Sequence, residues 1–373
     1  MTPAERAFEA ARSGDTTALA AVLDEHPDAL HARADPYEQS LLHAAAQRGH
    51  RDAVDLLLRR GLDANTRERG DNSYAMHWAA AAGRLDIVRR LADAGGDVVG
   101  AGDDHQLEVI GWASCWDECR DDAHRAVVEF LLSRGAKHHI FSAVAMNLGD
   151  EVRRIVAADP STLNRRQSRN ENHRTPLHFA VVQERPEMVK LLLELGADPL
   201  AVDGFGQTAA AYSGGSDADR PVLEKLATMV DAEFESASRG NRAPRGTPID
   251  LVALLALGRS DSAGKLLHHN PSLLEPTGGV LHLMAQRGDT AAAMWLLSRG
   301  ADVNGRWVDG DVAVAPLHLA IMRAHATMVR LLLDAGADPT LRDSKFDADA
   351  IGWAEHFQLP ELVRILREYR PRP

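Results

Sequence analysis

Cysteine is nearly missing from this 373-residue chain: Cys115 and Cys119 are the only two, too few for a disulfide framework. Long apolar runs are missing as well. None approaches the roughly 18 residues that a membrane-crossing helix needs, and the start, Met1-Thr2-Pro3-Ala4-Glu5-Arg6, is charged and holds no apolar leader core. These absences give the expectation of a soluble, cytoplasmic protein with no membrane partner. Positive charge is in deficit, with 42 Lys and Arg against 54 Asp and Glu and a formal net charge of −12, which disfavours a sequence-blind grip on nucleic acid. Aromatic residues make up 5% beside 45% hydrophobic, so the core must be built largely from Ala and Leu. Catalytic signatures are lacking too: there is no nucleophile elbow, phosphate-binding glycine loop, paired zinc motif or dinucleotide fingerprint.

What the chain does contain is one pattern, repeated. In Thr175-Pro176-Leu177-His178-Phe179-Ala180, Thr175 is a good N-cap and Pro176 suits the first helical position, where a missing N–H costs nothing. A second apolar run, Met188 to Leu193, ends at Gly196-Ala197-Asp198 and reads as another helix closed by a left-handed glycine. His43, His77, His178, His282 and His318 each precede a Gly eighteen positions on, at 61, 95, 196, 300 and 336. A pair of short helices cannot bury its own apolar face, so each copy needs neighbours on both sides.

The spacing of 34 residues from His43 to His77, the Thr-Pro-Leu-His run at 175–178 with its partial copies, and the Gly-Ala-Asp endings at 196, 300 and 336 resemble the ankyrin repeat family over nearly the whole chain. The resemblance implies an all-α solenoid of about eleven helix-turn-helix units. It also implies that the motif His is structural, bonding the turn and the neighbouring unit.

Not all units are alike. Three have Phe8, Ala143 or Val252 in the His slot, six before Gly14, Gly149 and Gly258, and end in Pro27-Asp28-Ala29-Leu30, Pro160-Ser161-Thr162-Leu163 or Pro271-Ser272-Leu273-Leu274. These prolines should stop the second helix early and reshape the following finger loop. Two units carry Ile110-Gly111-Trp112-Ala113 and Ile351-Gly352-Trp353-Ala354, where Gly vacates the His slot and Trp is expected to fill the space. Repeat seven, at Thr208 to Tyr212, is degenerate and runs into Gly214-Gly215-Ser216, a helix near 221–238 and a loop at 239–246. The order of unit types divides the chain into three related blocks: 1–135 with repeats one to four, 136–246 with five to seven, and 247–373 with eight to eleven. Junctions between unlike units are where a regular superhelix would open a cleft.

Candidate sites follow from the fingers. Arg165, Arg166, Arg169, His173 and Arg174 form a basic cluster leading into repeat six, suited either to a solvated loop or to an anionic partner. Arg306 and Trp307 are expected near the tip of a long finger at 304–315, and exposed Trp and Arg are enriched at binding hot spots. Tyr37, Arg67, Arg69, Tyr74 and Phe205 occupy comparable positions, and Trp116 stands outside the repeat template in the enlarged turn of repeat four. Cys115, Cys119, Asp117, Glu118 and His124 invite a metal site, yet the lone Cys pair fits packing better, and no metal or cofactor is assigned. Together these features favour a non-enzymatic module that binds another protein through the concave groove and fingers. The alternative is small-molecule binding, or an unusual activity, in a cleft at a block junction, suggested by His, Arg, Asp and Trp side chains around repeats three to six.

Overall fold

The computed structural model describes residues 1–34, 36–116, 119, 121–212, 219–238 (backbone alone at 233–238) and 247–369. The glycine-rich stretch after Tyr212, the 239–246 loop, Asp117 and Glu118 lie outside the described residues. By contacts the chain forms two compact units, Met1–Pro176 and Leu177–Pro373.

The N-terminal unit pairs helices α1 (Pro3–Ser13) and α2 (Thr16–Glu25), α3 (Leu41–Arg48) and α4 (Arg51–Arg59), α5 (Ala75–Ala81) and α6 (Leu85–Asp93), α7 (Glu108–Trp112) and α8 (Asp122–Ser133), and α9 (Ile140–Ala145) and α10 (Gly149–Ala158). Each start has a local cause. At α1, Thr2 Oγ1 accepts from Glu5 N at 3.2 Å while Glu5 Oε2 accepts from Thr2 N at 2.8 Å, a reciprocal cap that uses Pro3 at the first helical position. First helices pack on first helices in sequence order, α1 on α3, α3 on α5 and α5 on α7, and second helices do likewise. Leu19, Leu41, Leu57, Met76, Ile87, Leu91 and Leu131 are thereby removed from water along one continuous core.

The C-terminal unit continues with α11 (Pro176–Val182), α12 (Pro186–Glu194), α13 (Arg220–Ser238), α14 (Pro248–Ala256), α15 (Ser260–His269), α16 (Val280–Arg287), α17 (Thr290–Leu297), α18 (Pro316–Met322), α19 (Ala326–Asp334), α20 (Ala350–His356) and α21 (Pro360–Glu368). In repeat seven the first helix shrinks to one 3-10 turn, Ala209–Tyr212, and the second lengthens into α13. The expected degeneracy is therefore a trade between the two helices of one unit.

Short antiparallel ribbons form fingers between units: β1 (Arg33–Ala34) with β2 (Gln39–Ser40), β3 (Trp307–Asp309) with β4 (Val312–Val314), and single bridges Arg67–Tyr74 and Val202–Thr208. Pro27, Pro160 and Pro271 each open a 3-10 turn directly after α2, α10 and α15, as the sequence implies. Among the described residues no helix is long and apolar enough to cross a membrane.

Candidate functional site

The five motif histidines are no more than 2% exposed. His77 shows the common geometry: Nδ1 accepts from Tyr74 N at 3.0 Å, which leaves Nε2 protonated to donate to Gly100 O in the next finger at 3.0 Å. His43 reaches Ser73 O at 3.2 Å, His178 reaches Gln207 O at 2.9 Å and His282 reaches Gly305 O at 2.9 Å. Burial pushes His43, His77 and His282 down to about 4. Neutral, dry and spent on backbone, the rings of His43, His77 and His282 each tie a repeat to the next finger.

Gly111 behaves differently from expectation. The space it vacates is taken by His139 of the following repeat, whose Nε2 donates to Leu107 O at 2.8 Å; a Cβ on Gly111 would lie 2.7 Å from Leu107 Cβ and 2.9 Å from that nitrogen. Trp112 instead turns to the finger and donates from Nε1 to Asp103 Oδ1 at 3.1 Å, with Leu107 N and Glu108 N bonding the same carboxylate at 3.2 and 2.8 Å. Trp353 repeats the arrangement on Asp343 at 2.8 Å, and Tyr212 does so on Asp203 through its hydroxyl. Repeats four, seven and eleven thus share an aspartate that gathers the finger's N–H groups and pins one ring donor. That feature is hidden in the sequence because the ring is Trp twice and Tyr once.

In the N-terminal unit the finger candidates are mostly bound to one another. Tyr37 is half exposed, and its carbonyl accepts from Arg69 N and Gly70 N at 3.0 and 3.2 Å. The Arg67 guanidinium lies 4.1 Å from the centre of the Tyr74 ring and donates to the Tyr74 hydroxyl at 3.0 Å and Ala101 O at 2.6 Å. Arg69 is exposed and pairs with Glu38 at 2.9 Å. The basic cluster does not converge: Arg165 donates to Gln106 O at 3.3 Å, Arg166 to His173 O at 3.1 Å, Arg174 O accepts from Gln167 N at 2.9 Å, and Arg169 and His173 are exposed.

Trp116 joins a cluster that the repeat pattern does not reveal. His105 lies edge-on to Trp112 and Trp116, each at 5.2 Å between ring centres, with Trp78 5.6 Å from Trp112. Its Nδ1 bonds Glu171 and its Nε2 stands 3.3 Å from Asp71, so one imidazole joins the fingers of repeats three, four and six. Burial alone would lower the His105 pKa, but the hydrogen bond to Glu171 and the negative charges of Glu171, Asp71 and Asp103 outweigh it and hold the pKa above its ordinary value. Nearby, His124 is engaged at both nitrogens, by Asp121 at 2.6 Å and Ala81 O at 3.1 Å, and burial pushes the Cys115 thiol up to about 12. Among the described residues no group of three or more His, Cys, Asp or Glu side chains is placed to hold a metal ion.

The C-terminal unit laces three fingers together. Gln207 Nε2 donates to Asp309 Oδ1 at 3.3 Å; Ala313 N donates to Ser344 Oγ at 2.7 Å and Ser344 N to Ala313 O at 3.1 Å; Lys345 pairs with Asp311 and Arg306 with Arg342 O. These fingers carry Phe205, Val308 and Phe346, which are 51%, 60% and 65% exposed. Trp307 is not at the tip but in β3, half-buried, its ring against Gly279 and 5.7 Å from His282. Beneath the Gln207–Asp309 bridge lies a cavity of about 640 Å³ whose lining includes Phe205, Leu283 and Trp307.

The ankyrin repeat family description in three-copy form matches residues 7–101, 42–142 and 251–343, and its single-repeat form matches 172–204. The mouse B-cell lymphoma 3 protein homolog is 30% identical over 169 residues, 45% of this chain and 30% of that protein. A putative ankyrin repeat-containing protein of Treponema pallidum is 33% identical over 142 residues, 37% of this chain and 45% of that one. The chain thus spans less than half the length of either relative. The solved human ASB11 ankyrin repeat domain aligns with 59% of this chain and 96% of its own at 21% identity, with a TM-score of 0.39. The repeat geometry and the extent of the family match together make this chain a member of the ankyrin repeat family.

Proposed function

We propose that the chain is a non-enzymatic module that binds another protein through the finger tips of its C-terminal unit. Membership of the ankyrin repeat family supports a protein-interaction role in general terms. The observation that carries the specific surface is the exposure of Phe205, Val308 and Phe346 on three fingers fastened to one another. Large side chains left in water on fingers fastened to one another cost solvation free energy that a partner's apolar surface would recover. Because the fingers are already cross-linked by hydrogen bonds, little ordering entropy is lost on docking. Within the N-terminal unit the same proposal assigns polar contacts to Tyr37, Arg69, Arg169 and His173, all exposed.

A photo-crosslinking residue at Phe346, compared with one at Met294 on helix α17, tests it. Met294 is 55% exposed but belongs to no finger. Capture of one protein from the 346 position and not from 294 is expected; equal capture from both positions, or none from 346, would count against the assignment.

A further inference from the structure

The 640 Å³ cavity under the Gln207–Asp309 bridge is of a size and character that suit a small ligand, with apolar walls and few polar groups. Leu200, Val202, Phe205, Ile249, Leu283 and Trp307 supply the walls. In the N-terminal unit the matching bridge, His105–Glu171, has Trp112 and Trp116 packed against its imidazole at 5.2 Å between ring centres. The C-terminal bridge has space where the N-terminal one has indoles. Trp307, the ring that could fill it, is drawn aside onto Gly279, where a Cβ would stand 2.4 Å from the indole.

The lining of the cavity is poor in charge although the protein is strongly acidic. The chain carries 54 acidic residues and a net charge of −12, yet among the described residues no aspartate or glutamate lines the cavity, and Arg306 is the one charged side chain that does. One Arg306 nitrogen, Nη2, is fixed by Arg342 O; its other N–H groups have no hydrogen-bond acceptor among the described residues. A guanidinium held at one corner and open at the others presents a fork suited to a carboxylate.

We infer that this cavity is a binding site for a monoanionic amphiphile, an apolar body with one carboxylate, whose hydrocarbon takes the Phe205–Leu283–Trp307 walls and whose head group pairs with Arg306. The site shares Phe205 and Val308 with the finger-tip surface, but its test turns on Arg306 and needs no protein partner.

Calorimetric titration of the full chain with dodecanoate, dodecanol and dodecyltrimethylammonium, all below their micelle concentrations, tests it. Dodecanoate should bind once per chain, the alcohol about tenfold more weakly because a charge-assisted hydrogen bond is lost, and the cation more weakly still. Arg306→Gln should bring dodecanoate down to the level of the alcohol, while circular dichroism shows the helical fold retained. To locate the site, 12-bromododecanoate should quench tryptophan emission, and Trp307→Phe should remove most of that quenching while calorimetric binding persists. No saturable binding, equal affinity for all three probes, indifference to Arg306→Gln, or quenching that survives Trp307→Phe would overturn the inference.

Discussion

Gln207 and Asp309, 102 positions apart in the chain, meet at 3.3 Å and fasten two fingers of the C-terminal unit to each other. Between them in sequence lies repeat eight, a unit of the type that ends in a proline turn, Pro271–Leu274. His105 and Glu171 repeat the relationship over repeat five, whose proline turn is Pro160–Asn164. Two bridges built from different residues thus each reach past a unit of the proline-turn type.

Gln207→Ala should cost about 1 kcal/mol, the net worth of one hydrogen bond that is partly shielded from water. Burial raises the Asp309 pKa, so its carboxylate is poorly solvated without the amide. Faster amide exchange confined to the β3–β4 ribbon is the expected signature. Unchanged exchange there would mean that the bridge does not hold the finger.

A double-mutant cycle on His105→Ala and Glu171→Ala should give a coupling of about 1 kcal/mol or more at pH 6. Because the folded pKa of His105 is raised, its contribution is fully present below the unfolded value of 6.5 and fades as pH rises through the folded value. Urea titrations of the four proteins at pH 6 and pH 9 measure it. Equal coupling at both pH values would contradict a charged imidazole.

The buried histidines act in the opposite direction. His43, His77, His139 and His282 fall from 6.5 to about 4 in the fold, so between those values the unfolded chain binds more protons and stability must drop as pH falls. Each represents on the order of 3 kcal/mol across that window, and four together rival the whole stability of a typical domain, roughly 5–15 kcal/mol. Cooperative acid unfolding is therefore expected above pH 4, with uptake of several protons. Circular dichroism against pH checks this, and a fold intact at pH 4 would contradict the burial.

Gly111→Ala should destabilise the N-terminal unit by roughly 1–3 kcal/mol, because the added methyl enters the place of the His139 ring. Gly352→Ala, where the nearest atom, Ala348 Cβ, would stand at 3.3 Å and need give by only a few tenths of an ångström, should be milder. Comparing melting temperatures of the two variants separates crowding from any general effect of losing glycine.

The helices were legible because their signals are local. Thr2-Pro3 with Glu5, the His-to-Gly spacing and Pro27, Pro160 and Pro271 each act within a few residues, and the helix boundaries follow them. The finger contacts were not legible. His105, Glu171, Gln207 and Asp309 sit at variable places in loops and meet partners 66 and 102 positions away, which no window of one repeat reveals. Gly111 shows the same limit: its vacancy was visible, but its occupant, His139, comes from the next unit and displaces the adjacent Trp112 as the expected filler. The division into three blocks at 135 and 246 is a reading of unit order in the sequence.

The most direct measurement is the affinity of the captured partner for the wild-type chain and for Phe205→Ser, Val308→Ser and Phe346→Ser combined. These three side chains are exposed, so the fold and melting temperature should be kept while affinity falls tenfold or more. Unchanged affinity in a fully folded triple variant would show that the finger tips of this unit are not the working surface.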